Sequence, residues 1–161
     1  MANLHKIFVL QLTQELAVAR TLHRLLCEER ELLDPPNIKA LTDLQDEKLL
    51  HLTKLKELSN QRCNWLTEHD IALTKNCYLS ELIQSDDQDE NQQLAALWQE
   101  LADQFQQNRD LTDILSTIVL TARQRTQSLM KILRGQKNSP NLYTKSGQTQ
   151  PGSSGLGYAK A

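Results

Sequence analysis

The sequence predicts an all-α protein: an antiparallel helical hairpin, a long C-terminal coiled-coil-like helix, and a disordered C-terminal tail. Residues 1–134 contain no glycine, and Pro35-Pro36 is their only proline pair. All five glycines lie from Gly135 onward. Glycine is unfavourable inside helices and suits loose backbone. Apolar residues also recur every seven positions over long stretches. We therefore predict a helical domain at 1–135 and a flexible tail at 136–161.

The first helix is predicted from about Ala2 to Leu33. One row of its apolar residues advances by seven and consists of Leu12, Ala19, Leu26 and Leu33. Such a stripe is typical of an amphipathic helix. The residues 34–37 read Asp-Pro-Pro-Asn and end the helix, because proline breaks the helical hydrogen-bond ladder and restricts the residue before it. So short a connection predicts an antiparallel hairpin.

The second helix is predicted to begin after Asn37, which serves as its N-cap. Its apolar face comprises Ile38, Leu41, Leu44, Leu52, Leu55, Leu58 and Leu66. Three polar residues interrupt that face: Lys48, His51 and Arg62. We therefore expect this seam to be more hydrated or less tightly packed than that of the first helix. The weak stretch 67–70 follows, and we expect residues 71–83 either to form a short helix or to continue the second helix.

The third helix, predicted from about residue 88 to 134, has the most regular pattern. Two rows advance by seven over six positions: Leu94, Leu101, Asn108, Leu115, Ala122 and Leu129, and beside them Trp98, Phe105, Thr112, Val119, Thr126 and Leu133. This spacing is a coiled-coil signature. The acidic stretch 85–90 suits the helix start, and Gly135 suits the C′ position after its end. Asn108 is polar within the seam and would fix register at a cost in stability.

Charge divides the chain near the same boundary. All 20 acidic residues lie at or before Asp113, against 11 basic ones, so this part has a net charge of −9. The remainder holds seven basic residues and no acidic one. Two compatible interpretations are a solvated basic helix end and a basic tail that meets an acidic partner surface.

Composition also argues against several classes of protein. No apolar run, including the stretch 7–10, is long enough to span a membrane. No small-residue cleavage site follows residues 7–10, which continue a helical pattern, so we expect no signal peptide. Three cysteines without dense spacing suit a reducing cytosol, so we expect a cytoplasmic protein. A body without glycine cannot form a phosphate-binding glycine loop, and no nucleophile has a supporting motif; we therefore expect no enzyme and no cofactor.

Metal and nucleic-acid sites are weakly supported. His23 and Cys27 lie four residues apart, but no second close pair completes a zinc set, so we expect no metal. A calcium-loop match at Asp87, which extends through residue 98, fails because Gln92 and Trp98 stand where glycine and glutamate are needed. The basic residues of the C-terminal end are too sparse for the usual nucleic-acid footprint.

The stretch 111–120 is a candidate interaction surface. Leu111, Ile114 and Ile118 flank the seam and widen the apolar arc beyond what one neighbouring helix covers. A second helix of the same bundle could cover them, as bundle helices need wide stripes. Alternatively, they form a groove for a partner's amphipathic helix.

Two segments carry a resemblance to a known family. Residues 41–50 read Leu-Thr-Asp-Leu-Gln-Asp-Glu-Lys-Leu-Leu and are followed by Arg62. Residues 142–149 read Leu-Tyr-Thr-Lys-Ser-Gly-Gln-Thr and precede a Ser/Gly-rich basic end. With the order of helices, these segments resemble FlgN, the flagellar export chaperone of the hook-associated proteins. An Asn-x-x-Asn-Gly-like element usual in that family's last helix is replaced here by Thr-Asp-Ile-Leu-Ser at 112–116.

The resemblance implies a cytosolic, non-enzymatic chaperone of flagellar type III export. It would bind the C-terminal helical ends of hook-associated (FlgK- and FlgL-like) proteins, prevent premature assembly and deliver them to the cytoplasmic domain of the export gate, without nucleic acid and without membrane insertion. The candidate client-binding residues are Leu111, Ile114, Leu115, Ile118, Val119 and Ala122. The candidate gate contacts are Leu142 and Tyr143. The alternatives are a generic structural coiled-coil protein and a nucleic-acid-associated helical protein.

Overall fold

The computed structural model describes residues 2–135, 142–143 and 149–150, with side chains from residue 4 to residue 135. Helix α1 spans Ala2–Leu32, α2 spans Ile38–Glu68 and α3 spans Gln88–Leu133. The prediction of an all-α fold is confirmed. The chain divides into two compact units, residues 1–116 and 117–161.

The hairpin of α1 and α2 forms as predicted. The backbone amide of Asn37 donates to the carbonyl of Leu32 at 2.9 Å, which closes the connection. The Asn37 side chain then accepts from the amide of Ala40 and caps α2, as the sequence predicts. Two ion pairs, Glu15 with Arg62 and Glu29 with Lys48, join residues whose numbers run in opposite directions along the two helices. The helices are therefore antiparallel.

The expectation of a helix at 71–83 is wrong. Asp70 takes a left-handed backbone conformation with φ 55° and ends the preceding turn, and only Cys77–Leu79 form a single 3-10 turn. Ile71, Cys77 and Ile83 are all buried although they are six residues apart. Residues at that spacing lie about 120° apart around an α-helix and cannot share one face, so an irregular segment buries them instead. His5 anchors it by donating from Nδ1 to the Ile83 carbonyl at 3.0 Å.

Both ends of α3 are capped. Asp87 accepts from the amide of Asp89 at 2.9 Å, and the side chain of Asn91 makes two hydrogen bonds with the backbone of Ser85. At the other end, Gly135 has φ 72° and donates to the carbonyl of Ile132 at 3.0 Å. The C′ glycine is therefore confirmed.

The core of residues 1–116 lies between the hairpin, the irregular segment and the first half of α3. Its main cluster comprises Phe8, Leu12, Leu16, Leu66, Ile71, Cys77, Ile83, Leu94 and Leu101. Phe8 stacks between Trp65 and Trp98, with ring centroids 5.8 Å and 6.1 Å away. A smaller cluster comprises Leu22, Leu26 and Leu115.

The predicted flexible tail, residues 136–161, lies outside the described residues except for two short strands. Strand β1 spans Leu142–Tyr143 and β2 spans Thr149–Gln150, and they pair antiparallel, with Leu142 opposite Gln150. The sequence analysis did not predict this ladder.

Candidate partner-binding surface on the third helix

The two halves of α3 share one apolar pattern but differ in burial. In the row that begins at Leu94, the first four members, Leu94, Leu101, Asn108 and Leu115, are at most 7% exposed. The next members of the same row, Ala122 and Leu129, are exposed, and Leu129 is 60% exposed. The row is therefore buried within residues 1–116 and exposed where it continues into the second unit.

The second half of α3 carries a wide stripe of such residues, which we name the apolar stripe. Its members are Ile118, Val119, Ala122, Leu129, Met130, Ile132 and Leu133. At 100° per residue they fall within an arc of about 160°. All are exposed except Ile118, which is half-buried, and Leu133 reaches 85%. Large contiguous apolar surfaces that remain exposed are typical of interaction sites.

The charges around the apolar stripe have one sign. Arg123, Arg125 and Arg134 are exposed near the stripe, Lys131 is exposed on the opposite face, and the sequence has no acidic residue after Asp113. In heptad terms, Arg123 follows the seam residue Ala122 and Arg125 precedes the seam residue Thr126. These are the positions that flank a helix–helix seam. The surface is thus an apolar face with basic edges.

The six candidate client-binding residues do not share one environment. Leu115 is buried with Leu22 and Leu26, and Leu111 is half-buried against the same cluster. Within residues 1–116, therefore, both belong to the helical bundle, as the bundle interpretation of this patch expects. Ile114 is 43% exposed. Ile118 is half-buried, and Val119 and Ala122 are exposed on the apolar stripe.

Sequence reasoning missed four residues of the apolar stripe, Leu129, Met130, Ile132 and Leu133, as candidate binding residues. A signal for them was present in the helix lengths. The third helix has 46 residues, whereas α1 and α2 have 31 each. A hairpin of 31-residue helices cannot cover 46 residues of seam, so some heptads had to lack a partner within the hairpin.

The two candidate gate-contact residues form strand β1. Only the backbone is described there, so the predicted roles of the Leu142 and Tyr143 side chains lie outside the described residues.

Arg62, which follows the family-like stretch in α2, contacts Glu15 of α1 and Trp98 of α3. Its Nε lies 2.5 Å from Oε1 of Glu15, a side chain with no exposed surface, and its guanidinium lies 5.4 Å from the ring centroid of Trp98. Burial alone would lower the pKa of Arg62, but the hydrogen bond and charge of Glu15 raise it above its ordinary value. Arg62 thus links α1, α2 and α3.

The family-like stretch itself also serves the hairpin. Gln45 Nε2 and Lys48 Nζ donate to the two carboxylate oxygens of Glu29 at 2.7 Å and 2.8 Å. Glu29 is 7% exposed, so both oxygens of a buried carboxylate are satisfied. Leu49 and Leu50 point outward, at 64% and 67% exposure. The polar residues of this stretch therefore stabilise α1 against α2.

His23 and Cys27, which the sequence analysis considered as the start of a zinc site, do contact each other, but His23 also binds Asn108 of α3. His23 Nδ1 donates to Oδ1 of Asn108 at 3.0 Å, and its Nε2 lies 3.7 Å from Sγ of Cys27. Asn108 in turn donates to the carbonyl of Ala19 at 2.9 Å. Among residues 2–135 there is no group of three or more His, Cys, Asp or Glu side chains placed to hold a metal ion. The contacts instead connect α1 to the seam of α3.

Among the described helices, none has a stretch long and apolar enough to cross a membrane.

Comparison with known proteins identifies a family. No curated protein and no solved structure matches the chain. The model of the family described as FlgN protein matches residues 1–151, which is nearly the whole sequence and includes both segments that carry the resemblance. The chain therefore belongs to the FlgN family of flagellar export chaperones.

Proposed function

We propose that this chain is a cytoplasmic export chaperone that binds the C-terminal helical ends of hook-associated proteins through the apolar stripe of α3. The observation that carries the proposal is the exposure of the stripe: Leu129 is 60% exposed although it continues the row that is buried up to Leu115, and Val119 and Ile132 on the same stripe are 49% and 59% exposed. An amphipathic helix laid into such a face is a common mode of peptide recognition. Binding would cover the C-terminal helix through which the client would otherwise assemble early, and no covalent bond is made or broken.

The exposure of the side chains supports a choice among the candidate binding residues. Ile118, Val119 and Ala122 remain candidates from the sequence, and Leu129, Ile132 and Leu133 extend them. Leu115 and Leu111 contribute indirectly, because they fix α3 on the smaller core cluster. Ile114 is exposed and remains a candidate.

Peptide binding to substituted chaperones tests the proposal. We expect C-terminal segments of hook-associated proteins to bind the full-length chain at micromolar concentration in calorimetric titration. The double substitution Val119→Asp and Leu129→Asp should abolish binding, because it places two charges in an apolar contact. Leu120→Asp is the matched control. Leu120 is 55% exposed on the same helix but about 160° from the middle of the stripe, so its substitution should leave binding intact.

Failure of every such segment to bind would contradict the proposal. So would equal loss of binding in the Leu120→Asp control, since that result would indicate damage to the helix and not to a face. In cells, the double variant should reduce the secretion of hook-associated proteins and leave that of other export substrates unchanged.

The tail is proposed to act in delivery to the cytoplasmic domain of the export gate. Truncation after Gly135 removes both Leu142 and Tyr143 and should leave helicity and client binding intact while export falls. Replacing only Leu142 and Tyr143 by alanine should reproduce the export defect. Loss of client affinity in the truncated chain would instead indicate that the tail closes over the bound client.

A further inference from the structure

We infer that the helix bound by the apolar stripe carries acidic residues along both edges of its own apolar face. The inference rests on the proposed function for the location of the site, and it adds the chemistry that selects the occupant. It concerns Arg123 and Arg125, which neither the family match nor the sequence motifs assign to any role.

The positions of Arg123 and Arg125 around the helix support the inference. Around the helix they are separated by about 160°, so Arg123 lies about 20° outside one end of the stripe's arc and Arg125 about 20° inside the other end. In paired helices the side chains at these edges lie beside the corresponding edges of the partner, where they set partner choice through ion pairs. An arginine guanidinium is suited to a carboxylate because it donates two parallel hydrogen bonds.

The lack of acidic residues near Arg123 and Arg125 in the sequence also supports the inference. Within four residues on either side of Arg123 and Arg125, the sequence contains no Asp or Glu, so neither arginine can form the usual ion pair along its own helix. Some arginines elsewhere do form ion pairs: Arg24 with Glu28 on one helix, and Arg62 with Glu15 across two. Among the side chains of residues 4–135, none forms an ion pair with Arg123 or Arg125, so their charge is available to a partner.

Charge also distinguishes among occupants. A second copy bound through the same stripe would bring only further positive charge, because residues after Asp113 contain no acid. Like charges at such edges disfavour pairing. An anionic bilayer would also suit a basic amphipathic face, but a bilayer does not require the seven-residue spacing that Ala122 and Leu129 continue from the buried seam. A helix with acidic edges satisfies both the spacing and the charge.

Designed peptides test the charge independently of the client's identity. Three four-heptad peptides with leucine at the seam positions would carry glutamate, glutamine or lysine at the edge positions. We expect the full-length chain to bind the glutamate peptide most tightly. The glutamine peptide should bind about 3- to 20-fold more weakly, as two edge pairs of modest strength are lost, and the lysine peptide more weakly still. Raised salt should weaken the glutamate peptide selectively.

Substitutions in the chain test whether Arg123 and Arg125 cause the preference for the glutamate peptide. Arg123→Glu with Arg125→Glu should reverse the order of the peptides, so that the lysine peptide binds best. Lys131→Glu is the control: it makes the same change of charge as either arginine substitution made alone, but on the face opposite the stripe, and it should keep the original order. If Lys131→Glu changes the order as much as the arginine substitutions do, net charge and not edge pairing is responsible, and the inference fails.

The outcomes separate this inference from the proposed function. If hook-associated segments bind but the three peptides bind equally and without salt dependence, the charge inference is wrong and the client-binding proposal stands. If no peptide binds while vesicles of phosphatidylglycerol and phosphatidylcholine do, the stripe is a membrane surface and both proposals are wrong.

Discussion

Arg62 and Glu15 form a two-point ion pair across the hairpin, with Nε–Oε1 at 2.5 Å and Nη2–Oε2 at 3.2 Å. The Glu15 side chain has no exposed surface, and that of Arg62 is 11% exposed. A buried carboxylate that loses its partner keeps its desolvation cost without compensation. The pair is therefore a buried contact that fixes the position of α2 on α1, together with that of Glu29 and Lys48.

The first prediction concerns this pair. Arg62→Ala should lower the free energy of unfolding by about 3–5 kcal/mol, the usual cost of stranding one member of a buried pair. Urea unfolding followed by tryptophan fluorescence measures it. Arg20→Ala is the control: its partner Glu100 is 52% exposed and Arg20 itself 56%, so the loss should be at most about 1 kcal/mol. Equal losses in both variants would show that the Glu15 contact has no special weight.

The second prediction separates the core from the apolar stripe. Leu115→Ala should lower the free energy of unfolding by about 2–5 kcal/mol, because it opens a cavity beside Leu22 and Leu26. Leu129→Ala should change it by less than about 0.5 kcal/mol, since its side chain is 60% exposed. Chemical denaturation of both variants in parallel makes the comparison. A large loss from Leu129→Ala would mean that the stripe is covered in the free protein.

The third prediction concerns Asn108, the one polar member of the buried row that begins at Leu94. It accepts from His23 and Gln104 and donates to the carbonyl of Ala19. Such a residue fixes the register of packed helices and adds little stability. We expect Asn108→Leu to keep or raise the urea midpoint, because it completes an apolar row, and to broaden the oligomer distribution in size-exclusion chromatography with light scattering. A loss of more than about 2 kcal/mol in this variant would instead indicate that the hydrogen bonds stabilise the fold.

Much of the fold was accessible from the sequence because its signals are local. The Asp-Pro-Pro-Asn connection, the Asn37 cap and the Gly135 terminus each depend on the conformational preferences of one or two residues. All three are confirmed. The segment 71–83 could not be read this way. Its buried residues are held by distant groups, such as the His5 ring on the Ile83 carbonyl, and no local pattern records that contact.

The sequence predicted the helix of the candidate site and three residues of the apolar stripe, Ile118, Val119 and Ala122, but not which apolar residues of that helix are exposed. Heptads show that a face is apolar, but they do not show what covers it. Leu115 and Leu129 occupy equivalent positions in one row, yet the first is 4% exposed and the second 60%. Leu115 packs with Leu22 and Leu26 of the hairpin, and the seven-residue pattern does not record that contact. The role of Arg62 as a buried partner of Glu15 was likewise hidden, because the two residues are 47 positions apart.

The fourth prediction uses the three cysteines as probes of burial. Cys27 is exposed, Cys63 is half-buried and Cys77 is buried. Burial raises the pKa of the Cys77 thiol, and the nearby charge of Arg62 only partly opposes that shift. With limiting iodoacetamide at neutral pH, alkylation should proceed from Cys27 to Cys63 and reach Cys77 only on unfolding, as peptide mass spectrometry would record. Early modification of Cys77 would show that the irregular segment opens readily.

The raised pKa of Cys77 also fixes the sign of a pH effect. A group whose pKa is higher in the folded state favours folding below its ordinary pKa, and this contribution is lost as the pH rises through the folded value. The free energy of unfolding should therefore fall as the pH is raised above about 9, where an unfolded thiol ionises. Cys77→Val removes the thiol and should flatten that part of the profile relative to the unsubstituted chain. Cys27→Val is the control and should leave the alkaline slope unchanged, because its thiol is already exposed. An identical slope in all three proteins would assign the alkaline loss of stability to groups other than the buried thiol.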